Sequence, residues 1–241
     1  MNQDFEKKDI TKYFYLFFII IAFTFSAFSI ITHYYLSVIQ KVSFKEFNIN
    51  KFLERNLGFF YYFTLQSNLL IFFIYLLLLL KIKKIKINYT EIKKLIKPSI
   101  LSAACVYIII VATVYNVILR RLYSPVGIQK IIDNFLHLIN PVLYIIFWLI
   151  FLDRENFYKK NYLYYSFRWI IYPLIYLFVV CFIGFFIRKF PYPFLNFYKI
   201  GFLPFILNII FLILFFFFIS FLVYIIGKIN LNKTNLNKNK D

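Results

Sequence analysis

The chain has 241 residues, of which 62% are hydrophobic and 24% aromatic, and it carries a formal net charge of +18 at pH 7. Its charged residues lie between long apolar runs, a distribution that excludes a soluble globular domain and argues against nucleic acid as a partner. The composition therefore predicts an all-α, polytopic membrane protein.

Six apolar runs are long enough to cross a bilayer, which takes about 20 residues at a rise of about 1.5 Å per residue. They are residues 13–38, 57–80, 99–119, 131–152, 165–187 and 201–226. We therefore predict a bundle of six transmembrane helices in one membrane domain, residues 13–227. The flanking segments are a cytoplasmic tail, residues 1–12, and a disordered basic cytoplasmic tail, residues 228–241.

The orientation follows from the lysines and arginines. With the N-terminus inside, 18 of the 28 Lys and Arg residues fall in cytoplasmic segments and 10 in outer loops. This bias predicts a multi-pass protein of the cell membrane with both termini in the cytoplasm. The first apolar run is too long for a signal peptide, and acids and bases are mixed in its flank, so it is predicted to be a retained helix.

Two predicted spans contain polar residues where a membrane helix is usually apolar. The second span contains Thr64, Gln66, Ser67 and Asn68. The fourth span contains Asp133, Asn134, His137 and Asn140. Polar groups in hydrocarbon are costly, so each of these residues binds a neighbouring helix or takes part in chemistry.

The two polar groups lie at the same depth. Thr64 is seven residues and His137 six residues from the predicted outer end of its span, roughly 10 Å and 9 Å along the axis. The i, i+3, i+4 spacing of one helix face is followed by Thr64, Ser67 and Asn68, and by Asp133 or Asn134, His137 and Asn140 or Pro141. If these faces meet, they form one pocket in the outer leaflet, to which Asn208 and the proline-containing loop of residues 190–196, as a cover, are further candidates.

The sequence gives little support for a cofactor, metal or disulfide site. Neither a phosphate-binding glycine loop nor a paired-carboxylate or His/Cys metal pattern occurs, so no cofactor is expected. Cys105 and Cys181 lie in predicted spans and give no extracellular disulfide framework. His33, near the outer end of the first span, is interpreted as an interfacial residue.

A transporter built from inverted repeats would have helix breaks at matching positions in its two halves. The prolines within spans are all in the second half: Pro141, Pro173 and Pro204. The sequence therefore predicts breaks in the second half only, which disfavours transport.

Four short runs, in order over about residues 58–210, resemble a family of bacterial six-helix integral membrane proteins. They are residues 62–68, residues 137–141 followed by Trp148, Arg168–Trp169 with Pro173 and Tyr176, and residues 192–196. That family is distantly similar to the eukaryotic androgen-induced and androgen-dependent membrane proteins, threonine hydrolases that act on fatty acid esters of hydroxy fatty acids. The resemblance implies that Thr64 is the catalytic nucleophile and His137 the catalytic base. Phe147 and Asn196 stand where relatives often have acids, so roles of those acids do not carry over.

The chemistry needs a base, because a threonine hydroxyl is a poor nucleophile until its proton is removed, and neutral histidine suits that task near pH 7. Side-chain amides of Asn68, Gln66 or Asn140 are candidate oxyanion donors, and Asp133 or Asn134 is a candidate to orient the imidazole. The expected partners are membrane lipids, with a lipid ester as substrate. The alternative is a non-catalytic transporter, lipid-binding or assembly protein whose polar residues serve helix packing.

Overall fold

The computed structural model describes residues 2–41, 48–84, 96–151 and 160–238, and the side chains of residues 13–41, 48–80, 96–151 and 160–228. Within these ranges the chain is almost wholly helical and forms no strand, which confirms the predicted all-α fold. Six helical segments are long and apolar enough to cross a membrane: Tyr13–Ile39, Phe63–Leu80, Pro98–Arg121, Ile128–Phe151, Tyr162–Ile187 and Phe202–Lys228. The chain is a multi-pass membrane protein.

The helices follow in chain order. They are α1 (Asn2–Tyr34), which continues into a π-helical turn (Tyr35–Ile39), α2 (Ile49–Phe60), α3 (Phe63–Lys84), α4 (Pro98–Val117), which leads into a 3₁₀ turn (Leu119–Arg121), α5 (Ile128–Asn134), a second π-helical turn (Phe135–Ile139), α6 (Asn140–Phe151), α7 (Tyr162–Ile187), a 3₁₀ turn (Pro193–Leu195), α8 (Phe197–Ile200) and α9 (Phe202–Lys238).

Three boundaries differ from the sequence expectation. Residues 57–60, assigned to the second span, belong to the separate helix α2, and the span begins at Phe63 after a break at Tyr61 and Tyr62. α1 begins within the predicted N-terminal tail, and α9 continues to Lys238 within the tail predicted to be disordered. Residues 2–12 and 228–238 contain neither proline nor glycine, so no helix breaker occurs in either stretch. Residues 239–241 lie outside the described residues.

The prediction that helix breaks occur only in the second half is wrong. The first half contains the π-helical turn Tyr35–Ile39, closed by a 2.8 Å bond from the N–H of Gln40 to the carbonyl of Tyr35, and the break at Tyr61 and Tyr62. Neither contains a proline, so the proline pattern did not indicate them. In the second half, Pro173 lies inside α7 without ending it. The proline pattern therefore does not argue against transport.

The chain divides into two compact units, the first formed by Met1–Phe60 and Thr64–Leu152. Its most buried span is α4, in which every residue from Leu101 to Ile108 is buried. Small residues on α4 allow close approach to α6, where Trp148 donates to the hydroxyl of Ser102 (3.0 Å) and Tyr144 to the carbonyl of Leu101 (3.1 Å). The candidate residues of the second and fourth spans all belong to this unit.

The second unit is formed by Tyr61–Phe63 and Asp153–Asp241. Its helices α7 and α9 are joined by the hydroxyl of Tyr162, which donates to the carbonyl of Phe217 (2.8 Å). Gly184 of α7 lies directly against the ring of Phe190, where a Cβ atom would overlap the ring. The absence of a side chain at Gly184 thus lets the chain turn back closely after α7.

Candidate functional site

The fourth span is irregular at the centre of its polar group, and this irregularity leaves two backbone carbonyls without their usual donors. In an α-helix the N–H of Asn140 would bond to the carbonyl of Leu136, but in the π-helical turn it bonds to Phe135 instead. The N–H that would bond to His137 is missing, because residue 141 is proline. Two successive carbonyls therefore need donors from elsewhere.

Side-chain amides of two other spans supply those donors. Asn68 of α3 donates to the carbonyl of Leu136 at 3.1 Å, and Asn116 of α4 donates to the carbonyl of His137 at 3.0 Å. The same nitrogen of Asn68 also donates to the carbonyl of Thr64 at 2.9 Å, so the carbonyl oxygens of Thr64 and Leu136 are at most about 6 Å apart. The polar faces of the second and fourth spans therefore meet. The predicted distances of seven and six residues from the span ends are wrong, because the spans begin at Phe63 and Ile128, which places Thr64 one residue and His137 nine residues beyond those starts.

Three fully buried residues from three spans form what we term the amide cluster: Ser29, Asn68 and Asn140. Asn140 donates to the hydroxyl of Ser29 at 2.9 Å and to the side-chain oxygen of Asn68 at 3.0 Å. Both Nδ2 hydrogens of Asn68 and of Asn140 thus already have acceptors. In this arrangement the two amides hold helices together, and neither has a hydrogen left for an oxyanion.

His137 belongs to a second group, the histidine cluster, formed with Asp133 and Tyr115. The imidazole stacks on the ring of Tyr115, with centroids 3.5 Å apart and an interplanar angle of 11°. Its Nδ1 atom lies 3.1 Å from the carboxylate Oδ1 of Asp133 and 2.9 Å from the carbonyl of the same residue. Tyr115 donates its hydroxyl to the other carboxylate oxygen, Oδ2, at 2.5 Å.

These contacts assign the tautomer of the imidazole. Both neighbours of Nδ1 are acceptors, so Nδ1 carries the proton and Nε2 of neutral His137 carries the lone pair. An imidazole held in this way, with a carboxylate behind it, has the orientation that a general base requires. Of the two candidates to orient the ring, Asp133 contacts it, whereas Asn134 accepts a hydrogen bond from Arg120 at 2.5 Å.

Sequence reasoning missed the contribution of the third span. Tyr115 is part of the histidine cluster, Asn116 donates to the carbonyl of His137, and Arg120 donates to the side-chain oxygen of Asn116 at 2.9 Å. The available signal was an asparagine in an apolar run, followed four residues later by arginine, close to the predicted outer end of the span. Ser29 of the first span was also missed, and it gave only a weak signal because buried serines are common in membrane spans.

The remaining candidates of the second span have different surroundings. Thr64 is buried at the start of α3. Gln66 donates to the carbonyl of Phe60 at 2.7 Å and thereby stabilises the backbone where α2 ends. The hydroxyl of Ser67 is buried and makes no hydrogen bond within the described part of the chain.

His33 is half-buried, and its ring lies 5.4 Å from that of Phe59. Its interpretation as an interfacial residue stays a prediction. Both histidines of the chain belong to the first unit. No group of three His, Cys, Asp or Glu side chains among the described residues could hold a metal ion.

The proline-containing loop and Asn208 belong to the second unit. There Asn208 donates to the carbonyl of Phe194 at 2.9 Å, which ties the loop to α9. Tyr192 of the loop stacks on Phe194 and packs edge-on against Tyr62. The observed role of Asn208 is thus to anchor the loop.

Comparison with known proteins adds no relative: neither a protein-family model, nor a curated protein, nor a solved structure matches this chain.

Proposed function

We propose that the chain is an intramembrane hydrolase of lipid esters, in which Thr64 is the nucleophile and His137 the general base. The observation that carries the proposal is the contact between Asp133 and His137, which leaves Nε2 of the imidazole as the proton acceptor. The hydrogen bonds of Asn68 to the carbonyls of Thr64 and Leu136 support it, because they hold the two chain segments together. The resemblance of residues 62–68 and 137–141 to the bacterial six-helix family supports the same pair.

In the proposed reaction, His137 Nε2 removes the proton of the Thr64 hydroxyl as its oxygen attacks the ester carbonyl. The tetrahedral intermediate collapses to an acyl-threonine, and the alcohol leaves with the proton from the imidazolium. Water, deprotonated by the same imidazole, then releases the fatty acid and restores Thr64. Asp133 stabilises the imidazolium that forms in each half of the reaction.

Lipid is the proposed substrate class because ester carbonyls lie at the boundary between headgroups and acyl chains. The position of Tyr115, six residues before the end of the third span, supports this substrate class. We propose that both termini face the cytoplasm, so that this boundary is in the outer leaflet. The excess of basic residues in the segments assigned to the cytoplasm supports that orientation.

The test is labelling of membranes with a hydrolase-directed fluorophosphonate probe and turnover of a fluorescent lipid ester. Thr64→Val removes only the hydroxyl, whereas Thr64→Ser keeps one, so we expect loss of both signals in the first variant and retention of at least part in the second. His137→Gln should lower turnover by about 100-fold or more, since general-base catalysis contributes about 10²–10⁴. Asp133→Asn should lower it less.

The control is the quantity of folded protein, measured for each variant by gel filtration in mild detergent. A wild type that turns over the ester and loses nothing in Thr64→Val or His137→Gln would overturn the assignment. A variant that loses both its activity and its folded fraction supports the alternative in which these polar residues serve helix packing.

A non-catalytic membrane protein is the second candidate, and a specific observation favours it. The amides of Asn68 and Asn116 supply donors to the two carbonyls exposed by the π-helical turn, a purely structural task. For such a protein, Thr64→Val and His137→Gln change stability only. The matched pair Thr64→Val and Thr64→Ser therefore separates the two candidates.

A further inference from the structure

The helix α2 has an apolar stripe that is exposed among the described residues of the first unit. Its residues are Ile49, Leu53, Leu57 and Phe60, with exposed fractions of 53%, 51%, 73% and 47%. Since each residue turns an α-helix by about 100°, these four positions fall within an arc of about 80°. The stripe is therefore a single continuous face of the helix.

A second face of α2 packs against the end of α1. Phe59 is buried, with its ring 5.2 Å from that of Tyr34, and Phe52 packs into the same apolar cluster. The hydroxyl of Tyr34 donates to the side-chain oxygen of Asn56 at 2.9 Å. The contacts of α2 with α1 thus come from residues other than those of the stripe. These contacts fix the rotation of α2 about its own axis.

The third face of α2 is polar and lies on the far side of the helix from the stripe. It is formed by Asn50, Lys51, Glu54, Arg55 and Gly58. A helix with one apolar and one charged face has the composition of helices that lie in the plane of a membrane surface. A helix surrounded by water alone would gain nothing from an exposed row of four large apolar side chains.

The position of α2 along the chain indicates what covers the stripe. Two residues, Tyr61 and Tyr62, separate α2 from the apolar span that begins at Phe63, so its C-terminal end is at a membrane boundary. Its packing partner, the segment Tyr35–Ile39, is the end of the first span. Tyrosines at such positions are typical of membrane interfaces.

We propose that α2 is an interfacial helix whose apolar stripe inserts into the acyl-chain boundary of the lipid bilayer, with its polar face toward water. The occupant of the stripe is thus lipid, continuous with the lipid around the adjoining spans. This inference does not rest on the hydrolase activity.

The experiment uses nitroxide spin labels in the full-length chain, with Cys105 and Cys181 replaced by alanine, reconstituted in vesicles of phosphatidylcholine and phosphatidylglycerol. Leu57→Cys labels the stripe, and Gly58→Cys is its matched control, since a side chain at Gly58 meets open space. We expect the label at residue 57 to collide several-fold more often with oxygen, which concentrates in lipid, than with a water-soluble nickel chelate. The label at residue 58 should show the reverse preference.

The pair Leu53→Cys and Lys51→Cys repeats the comparison nearer the start of α2, one turn before Leu57 and two turns before Gly58, and should give the same contrast. Equal accessibility to the nickel chelate at residues 57 and 58 would overturn the proposal, because the stripe would then face water. A label at residue 57 shielded from both oxygen and the chelate would also overturn it, since a protein surface would then cover the stripe. Both pairs lie on exposed positions, so the labelled variants are expected to fold.

Discussion

At the scale of single residues, the polar side chains of the spans divide into two groups with different tasks. The amides of Asn68 and Asn140 are fully buried and use all their hydrogens on protein acceptors. The imidazole of His137 uses its Nδ1 atom on the carboxylate and the carbonyl of Asp133, and its Nε2 atom is the one to which we assign the proposed chemistry. The task of a polar residue in a membrane span is therefore best inferred from how many of its side-chain donors and acceptors are already bonded within the protein.

Asn68→Leu should be among the most destabilising single changes in the first unit. It removes two donated bonds and one accepted bond, and it leaves the carbonyl of Leu136 buried without a donor. We expect a loss of about 3 kcal/mol in the free energy of unfolding, measured by titration with denaturing detergent. The matched control is Asn208→Leu, since Asn208 makes one such bond, to Phe194, and should lose about 1 kcal/mol. Equal losses would contradict the importance of the amide cluster.

At the scale of the helices, the π-helical turn Phe135–Ile139 is the element that organises the site. Together with Pro141 it exposes two successive carbonyls, and side chains from α3 and α4 bind them. The turn thereby connects three spans through hydrogen bonds. Sequence periodicity did not reveal this turn. One extra residue in a helical turn shifts the spacing of polar residues by one position, and the i, i+3, i+4 pattern of an ordinary helix already varies by that amount.

Asn116→Leu should cost about 1–2 kcal/mol in the free energy of unfolding, since the carbonyl of His137 then has no side-chain donor. Pro141→Ala returns an N–H that can bond to that carbonyl, so the same change should cost less in the Pro141→Ala background. A double-mutant cycle in denaturing detergent measures the coupling, which we expect to be about 1 kcal/mol. Strict additivity of the two changes would show that Pro141 does not create the need for Asn116.

At the scale of the whole molecule, we expect both termini on one side of the membrane, since six helices in the described part of the chain are long and apolar enough to cross it. From the basic residues, we expect that side to be the cytoplasm. Epitope tags at either end should resist protease in intact cells and become cleavable after permeabilisation. Lys41→Cys and Tyr123→Cys, both exposed between spans, should react with a membrane-impermeant maleimide from outside. Reaction of the two cysteines only after permeabilisation would reverse the orientation.

The sequence by itself determined the all-α class and the number of apolar runs long enough to cross a membrane. Both properties depend on local hydropathy and on a fixed rise per residue, which no tertiary contact alters. The candidate residues Thr64, Asn68, Asp133 and His137 followed from the cost of polar groups in hydrocarbon.

Only the tertiary structure decided which polar groups meet. The rotation of each helix about its axis paired Asn68 with Leu136 and Asn140, and His137 with Asp133 and Tyr115. The structure also shows that α2 is a helix separate from the second span, with a buried face packed on Tyr34. His137 and Asp133 are one helical turn apart, but the other pairings join residues far apart in the chain. Their geometry comes from side-chain packing between helices, which hydropathy and spacing along one helix do not specify.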